Sequence, residues 1–277
     1  MTEAVLAPVP PVSAISRNLK NTADKAWRAL LLPLGIVIVW SAVTETGLVP
    51  VYLLPSPRNV LAAAVEFIFG AGGGPYSGTF LVNFLASLQR VAAGFLLGSG
   101  LGVPLGIVLG HYRGAASFVE PTLQLTRSIP GICWLPLALI WFGIGTPAAV
   151  FLIALGSFYA VFLNTLQAVK YVDPVLLRAS RSLGASPAAL LYTVILPATF
   201  PSVLSGLRLG LAYSWIYMVL GEFTGVNRGL GATLLQARET LNPDVVIALM
   251  VIIGLLGVLS DWPMLQLMRK VFRMDVR

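Results

Sequence analysis

Residues 128–169 run for 42 positions without a single Asp, Glu, Lys or Arg. An α-helix crosses the hydrocarbon core of a bilayer in about 20 apolar residues, so this stretch is too long for one crossing and long enough for two. Its centre, WFGIGTPAA, supplies Gly143, Gly145 and Pro147, which favour a turn over a continuing helix, and it reads as a hairpin. Four further apolar blocks lie at 29–44 (extendable through Trp27 and Gly47), 91–110, 202–221 and 245–268. Charged residues make up only 10% of the 277, against about 25% in globular chains, and the mean hydropathy is +0.86. The fold class expected is an all-α polytopic membrane protein with about six transmembrane helices.

The distribution of Lys and Arg orients these spans. Fourteen of the 18 fall on one side of a six-span arrangement: Arg17, Lys20, Lys25 and Arg28 before the first span, Arg113 and Arg127 between the second and third, Lys170, Arg178, Arg181 and Arg208 between the fourth and fifth, and Arg269, Lys270, Arg273 and Arg277 after the sixth. Arg58, Arg90, Arg228 and Arg238 fall on the other. The positive-inside rule then places both termini in the cytoplasm. It also explains the net charge of +7 without a nucleic-acid partner. The N-terminal segment carries Glu3, Asp24 and scattered prolines and has no short apolar core, so a cleaved signal peptide is not expected.

The organisation expected is a cytoplasmic tail over 1–28, a first span over 29–47, and an outer loop over 48–79. A core over 80–268 and a basic C-terminus over 269–277 follow. In the outer loop, PSPRNVLAAAVEFIFG reads as a short amphipathic helix, capped by Ser56 with Pro57 in its first turn. In the second span Gly94, Gly98, Gly102, Gly106 and Gly110 recur every fourth residue, and in the fifth Gly206 and Gly210 repeat the spacing. Small residues at this interval let helix backbones approach closely, either within the chain or at a subunit interface.

Residues 173–197, DPVLLRASRSLGASPAALLYTVILP, interrupt the apolar blocks on the cytoplasmic side. Asp173-Pro174 and Ser186-Pro187 each pair a capping residue with a proline suited to the first helical turn. Gly184 is placed to stop the first helix and Pro197 to end the second. Leu176, Ala179 and Leu183 share one face of the first helix, and Leu190, Leu191, Val194 and Ile195 form a stripe on the second. Helices this short cannot span a membrane. They suit a surface knob that inserts into a partner's groove.

The tract resembles the EAA motif of ABC-importer permeases: Glu-Ala-Ala, three residues, Gly, then Ile-x-Leu-Pro after nine more. Arg178, Ala179 and Ser180 take the first three places, Gly184 matches, Val194 stands for Ile, and Leu196 and Pro197 match. Arginine replaces the family's glutamate, so a charge pairing made by that glutamate does not carry over. SIPGICWLPLALIWFGIG and LQRVAAGF resemble the branch importing nitrate, taurine, aliphatic sulfonates and bicarbonate, and the likeness runs from about Leu53 to the C-terminus. It implies a type I importer permease subunit in a bacterial inner membrane. The same likeness implies pairing with a second permease copy, two ABC ATPase subunits and an external solute-binding protein. ATP and magnesium would bind the ATPase, and Arg178, Ala179, Ser180, Arg181, Gly184, Ala185, Leu196 and Pro197 would couple this chain to it.

Other readings find less support. An intramembrane enzyme needs a nucleophile, base or metal set. The one histidine, His111, and the one cysteine, Cys133, have no companions of that kind, and no catalytic or metal-ligating residue is expected. No G-x-x-x-x-G-K-[ST] loop is present, so this chain is not expected to bind ATP itself or to need a cofactor. An ion-coupled carrier commonly places carboxylates within its spans. Here Asp261 falls near a span end, where Arg269 or the interface would hold it, and Glu222 at an outer end. Arg127, Trp134 and Trp215 are candidates for the translocation path, with headgroup contact and interfacial anchoring as the alternatives. Arg90 and Arg208 are weighed in the same way. The solute itself is not readable.

The orientation has a direct test. Cysteines introduced at Lys20 and Ser180 should react with an impermeant thiol reagent only after the cytoplasmic face is opened; labelling of both in intact cells would reverse the topology.

Overall fold

The structure, a computed structural model, describes residues 31–47, 49–70 and 72–272. The expected tail over 1–28 and the side chains of the basic segment 269–277 lie outside what is described. The chain divides into two compact units, residues 1–61 and 62–277. In the first, α1 (Leu31–Glu45) is followed by a short turn, and the Trp40 indole donates to the Pro55 carbonyl at 3.0 Å. Ser56 Oγ accepts from the Asn59 amide at 3.3 Å where α2 (Pro57–Phe69) begins.

The second unit holds α3 (Phe80–His111), α4 (Arg113–Arg127), a 3₁₀ turn (Gly131–Trp134), α5 (Leu135–Phe142) and α6 (Thr146–Lys170). After these come α7 (Pro174–Ser182), α8 (Pro187–Leu190), a π turn (Leu191–Ile195), α9 (Leu196–Glu222), α10 (Leu230–Glu239) and α11 (Pro243–Phe272). Among the described residues, four helical stretches are long and apolar enough to cross a membrane, or five if the bent pair α4–α5 counts as one. The described part of the first expected span, α1, is shorter than these four.

Helix α6 is the centre of the bundle, and glycines decide how closely its neighbours pack. A Cβ on Gly94 would sit 2.5 Å from Ile153, on Gly106 2.7 Å from Thr165, and on Gly110 2.5 Å from Val169. The two sets of numbers rise together, so α3 and α6 run parallel. A Cβ on Gly206 would sit 2.7 Å from Asn164, on Gly210 2.5 Å from Val161, and on Gly221 3.0 Å from the Ala149 backbone. Here one set falls as the other rises, so α9 runs antiparallel to α6. The expected glycine periodicity therefore lies at contacts within the chain, where lipid cannot compete for the surface. Ser157, fully buried on α6, donates to the Gly94 carbonyl at 3.3 Å across this interface.

At one end of the bundle a buried polar network ties four helices together. Arg90 Nη1 donates to Glu222 Oε1 at 2.7 Å and to the Arg228 carbonyl at 2.7 Å, and Arg90 Nε to Thr146 Oγ1 at 3.3 Å. The first amides at the start of α10 are also taken: Gly229 N–H by Asn83 (2.9 Å), Leu230 N–H by Ser87 (2.8 Å) and Gly231 N–H by Glu222 (2.7 Å). Gly229 has φ +146° with the Glu222 carboxylate against it, so any side chain there would be strained and would collide.

Several expectations are corrected. Arg90 does not reach for headgroups or a solute; it is 8% exposed and paired. Glu222 is fully buried rather than at the outer surface. Asp261 pairs with Arg208, whose Nε donates to it at 2.7 Å, so Arg208 lies within α9 rather than in a loop. The third span is not one helix from Ser128: α4 and α5 meet at a bend of 95°, because Pro130 cannot donate to the preceding turn. Pro197 does not end a helix. A π turn, with the Leu196 amide bonded to the Leu191 carbonyl, lets the chain enter α9 despite the missing proline N–H.

The network predicts a non-additive pair of substitutions. Arg90→Met leaves a buried carboxylate uncompensated and should cost about 3–5 kcal/mol, while Arg90→Met with Glu222→Leu should recover much of it. Thermal unfolding of the purified protein in detergent, with Glu222→Leu as the other single variant, checks this; a double variant destabilised by the sum of the two singles would show the pair to be uncoupled.

Candidate functional site

The tract between α6 and α9 is a rigid knob whose parts follow from local sequence. Asp173 Oδ1 accepts from the Val175 amide at 2.7 Å and Pro174 opens α7. The helix closes in a Schellman pattern: the Gly184 amide bonds to the Arg181 carbonyl (3.0 Å) and the Ala185 amide to the Ser180 carbonyl (3.1 Å). That closure needs a left-handed residue, and Gly184 supplies φ +83°. Ser186 Oγ then accepts from the Ala189 amide at 3.2 Å and Pro187 starts α8.

Apolar contacts fix the knob to the bundle. Val169 and Val172 from the end of α6 bury against Leu190 and Ile195, with Ile107 of α3 and Leu177 of α7 packed alongside. The inward residue of α7 is thus Leu177. Val175, Leu176 and Leu183, the last 89% exposed, face away from the protein, while Arg178 and Arg181, also exposed, line with Leu177 the cleft between α7 and the bundle that His111 and Lys170 share. Ala179 and Pro197 are exposed, and Ser180, Ala185 and Leu196 half-buried. The sequence pattern correctly separated two apolar stripes but could not say that only the second is satisfied within the chain. Apolar residues grouped on an exposed helix face mark an interaction site.

A second feature lies at mid-depth. A cavity of about 410 Å³ is bounded by Arg127 and Trp134 from the two sides of the α4–α5 bend, by Tyr159 and Asn164 of α6, and by Tyr213 and Tyr217 of α9. Tyr217 is held in a slot between two glycines: a Cβ on Gly131 would lie 2.6 Å from its ring, and Gly156 is equally close on the other side. Trp215 does not join Arg127 and Trp134. It is 4% exposed and lines a groove between α9 and α11 beside Arg208 and Asp261, because it points from α9 the other way. The tyrosines and Asn164 are not among the residues the sequence points to; their only signal is the four-residue spacing of Tyr213 and Tyr217 on α9.

Known proteins bear on both features. Residues 102–273 match the family described as the binding-protein-dependent transport system inner membrane component. A putative ABC transporter permease of Methanocaldococcus jannaschii is 37% identical over 83% of this chain and 85% of its own length. The taurine transport system permease of Escherichia coli is 34% identical over 85% of each chain. A putative aliphatic sulfonates transport permease of Bacillus subtilis is 33% identical over 89% of this chain and 87% of its own. The fold is similar to that in an inward-facing structure of a methionine ABC transporter, with a TM-score of 0.62 at 22% identity over 69% of this chain and 95% of the other.

Proposed function

We propose, from the premise that this chain belongs to the binding-protein-dependent transport system inner membrane component family, that it works as a homodimeric pathway for a small anion. The chain is a permease subunit of an ABC importer, a multi-pass membrane protein whose ATP hydrolysis resides in separate subunits. Two ATPase subunits dock on the exposed faces of the two α7 knobs, and a solute-binding protein delivers cargo at the opposite end of the bundle. The knob, α7 and α8, and both termini face the cytoplasm.

The observation that carries the coupling is where the knob sits in the chain. It is bracketed between the last turn of α6 and the first turn of α9: Val169 of α6 and Val172 just beyond it pack against Leu190, which ends α8, and against Ile195 of the π turn that runs straight into α9. Helices α6 and α9 also supply Tyr159, Asn164, Tyr213 and Tyr217 to the mid-depth cavity. A displacement of α7 by its partner therefore acts on both walls of the cavity without an intervening flexible linker. Relatives named for taurine, aliphatic sulfonates and bicarbonate support an anionic cargo. Of the four carboxylates on the spanning helices and α4, three are paired, Glu222 with Arg90, Asp261 with Arg208 and Glu120 with Lys170, and the fourth, Asp244, lies in the first turn of α11 at its end. This weighs against an ion-coupled carrier, which uses such groups to move protons or sodium.

Gly184→Val tests the coupling. A β-branched residue in the left-handed region costs about 1–2 kcal/mol locally and redirects α8. Membrane abundance should stay normal, while copurification of the ATPase and substrate-stimulated ATP hydrolysis should fall. Gly184→Asn, which tolerates this conformation, should be milder. Full assembly with wild-type uptake in Gly184→Val would reduce the knob to a connector. The purified permease alone should hydrolyse no ATP; turnover persisting in a preparation free of partner subunits would contradict the assignment of hydrolysis to them.

A further inference from the structure

Arg90, Arg208 and Lys170 on the long helices each have a carboxylate partner: Arg90 with Glu222, Arg208 with Asp261, and Lys170 with Glu120. Arg127 has no acidic partner among the described residues. Its depth makes that exceptional. The Tyr159 hydroxyl donates to Thr126 Oγ1 at 2.8 Å, which fixes the end of α4 at the level of Tyr159. Tyr159 lies about 16 Å along α6 from Lys170 and about 20 Å from Thr146, at the 1.5 Å rise of an α-helix. The hydrocarbon core is about 30 Å thick, so Arg127 enters the bundle near its middle, beyond the reach of headgroups at either surface.

An arginine at this depth is costly unless it faces water or a counter-charge, and such residues mark ion and substrate pathways. Arg127 faces the 410 Å³ cavity, whose lining includes no Asp or Glu. The polar groups that line it with Arg127, among them the hydroxyls of Tyr213 and Tyr217, the indole of Trp134 and the Gln167 amide, can donate to a charged oxygen without supplying negative charge. The aromatic faces leave an apolar wall for a short tail. We infer that Arg127 is the counter-ion of the transported solute, a compact organic monoanion with an oxygen-rich head, and thereby sets the charge selectivity of the pathway. This deepens the importer reading and rests on it. The same residue counts in the sequence as a cytoplasmic loop arginine; the structure removes it from that loop.

Two measurements test the inference separately from the importer reading. The purified full-length permease is titrated with ethanesulfonate, and with ethylammonium as a probe of similar size and opposite charge, while tryptophan fluorescence is followed. Ethanesulfonate should give a saturable change that Trp134→Phe removes, and ethylammonium none. Arg127→Gln should weaken the response by about 10- to 100-fold, the loss expected for one charged hydrogen-bond partner, and Arg127→Lys by less than tenfold. Equal titration of Arg127→Gln and wild type, or no saturable response in the wild type, overturns the inference. In cells carrying the complete transporter, Arg127→Gln should abolish ethanesulfonate uptake with membrane abundance and ATPase copurification unchanged. Binding without any ATP-dependent anion uptake by the wild type would support the site and overturn the importer reading instead.

Discussion

Close backbone contact between α6 and its two neighbours is the constraint from which the rest of this structure follows. In a bilayer, lipid tails are as apolar as leucine, so helices gain little by hiding apolar side chains from lipid. They associate through close packing and through the polar groups this brings together. Glycine at every fourth position of α3 brings its backbone within contact of α6 over five successive turns, from Gly94 to Gly110. Ser157 can then bond across to a main-chain carbonyl, because no side chain stands between the helices. A methyl group on Gly98 would occupy the space that Ser157 fills. With α3 and α9 both seated against α6 and in contact with each other, every other element is positioned by reference to these three.

The same packing makes charge tolerable inside the bundle. Arg90 and Glu222 come from α3 and α9 and meet only because both helices lie against α6, whose Thr146 completes the guanidinium's contacts. Stability is not the obvious return, since a buried ion pair gains little over an apolar pair of the same shape. What it adds is position. Glu222 and Ser87 take amides at the start of α10 and Arg90 takes the Arg228 carbonyl, so the connection after α9 has one place to go.

How much of this was legible in the sequence differs by element. Apolar block lengths and the turn glycines gave the long helices, and the capping residues gave α7 closely, since Asp173, Gly184 and Ser186 act through neighbours two to five positions away. The broken third span was not legible, because a charge-free run looks the same whether it is one straight helix or a bent one. Helix α10 was missed as well: its start depends on Asn83, Ser87 and Glu222, residues distant in sequence. The arginines show the limit most clearly. By position in the sequence, Arg90, Arg127 and Arg208 all fall near span ends. Only tertiary structure pairs two of them and leaves the third facing a cavity.

The two ends of the bundle differ in what holds them, and the difference bears on how force passes through it. At the Glu222 end, directional charged hydrogen bonds join α3, α6, α9 and α10, and they tolerate little sliding because their strength falls steeply with angle and distance. At the knob end, α6 and α9 meet α7 and α8 through aliphatic contacts among Val169, Val172, Leu190 and Ile195, which are non-directional. The π turn at Leu191–Ile195 lies there too, and with Pro197 it leaves the first turn of α9 short of regular hydrogen bonds. A load applied at α7 therefore meets a compliant end first and a stiff end last. The mid-depth cavity lies between them, so movement of its α6 and α9 walls relative to Arg127 is a matter of leverage about the Arg90–Glu222 end.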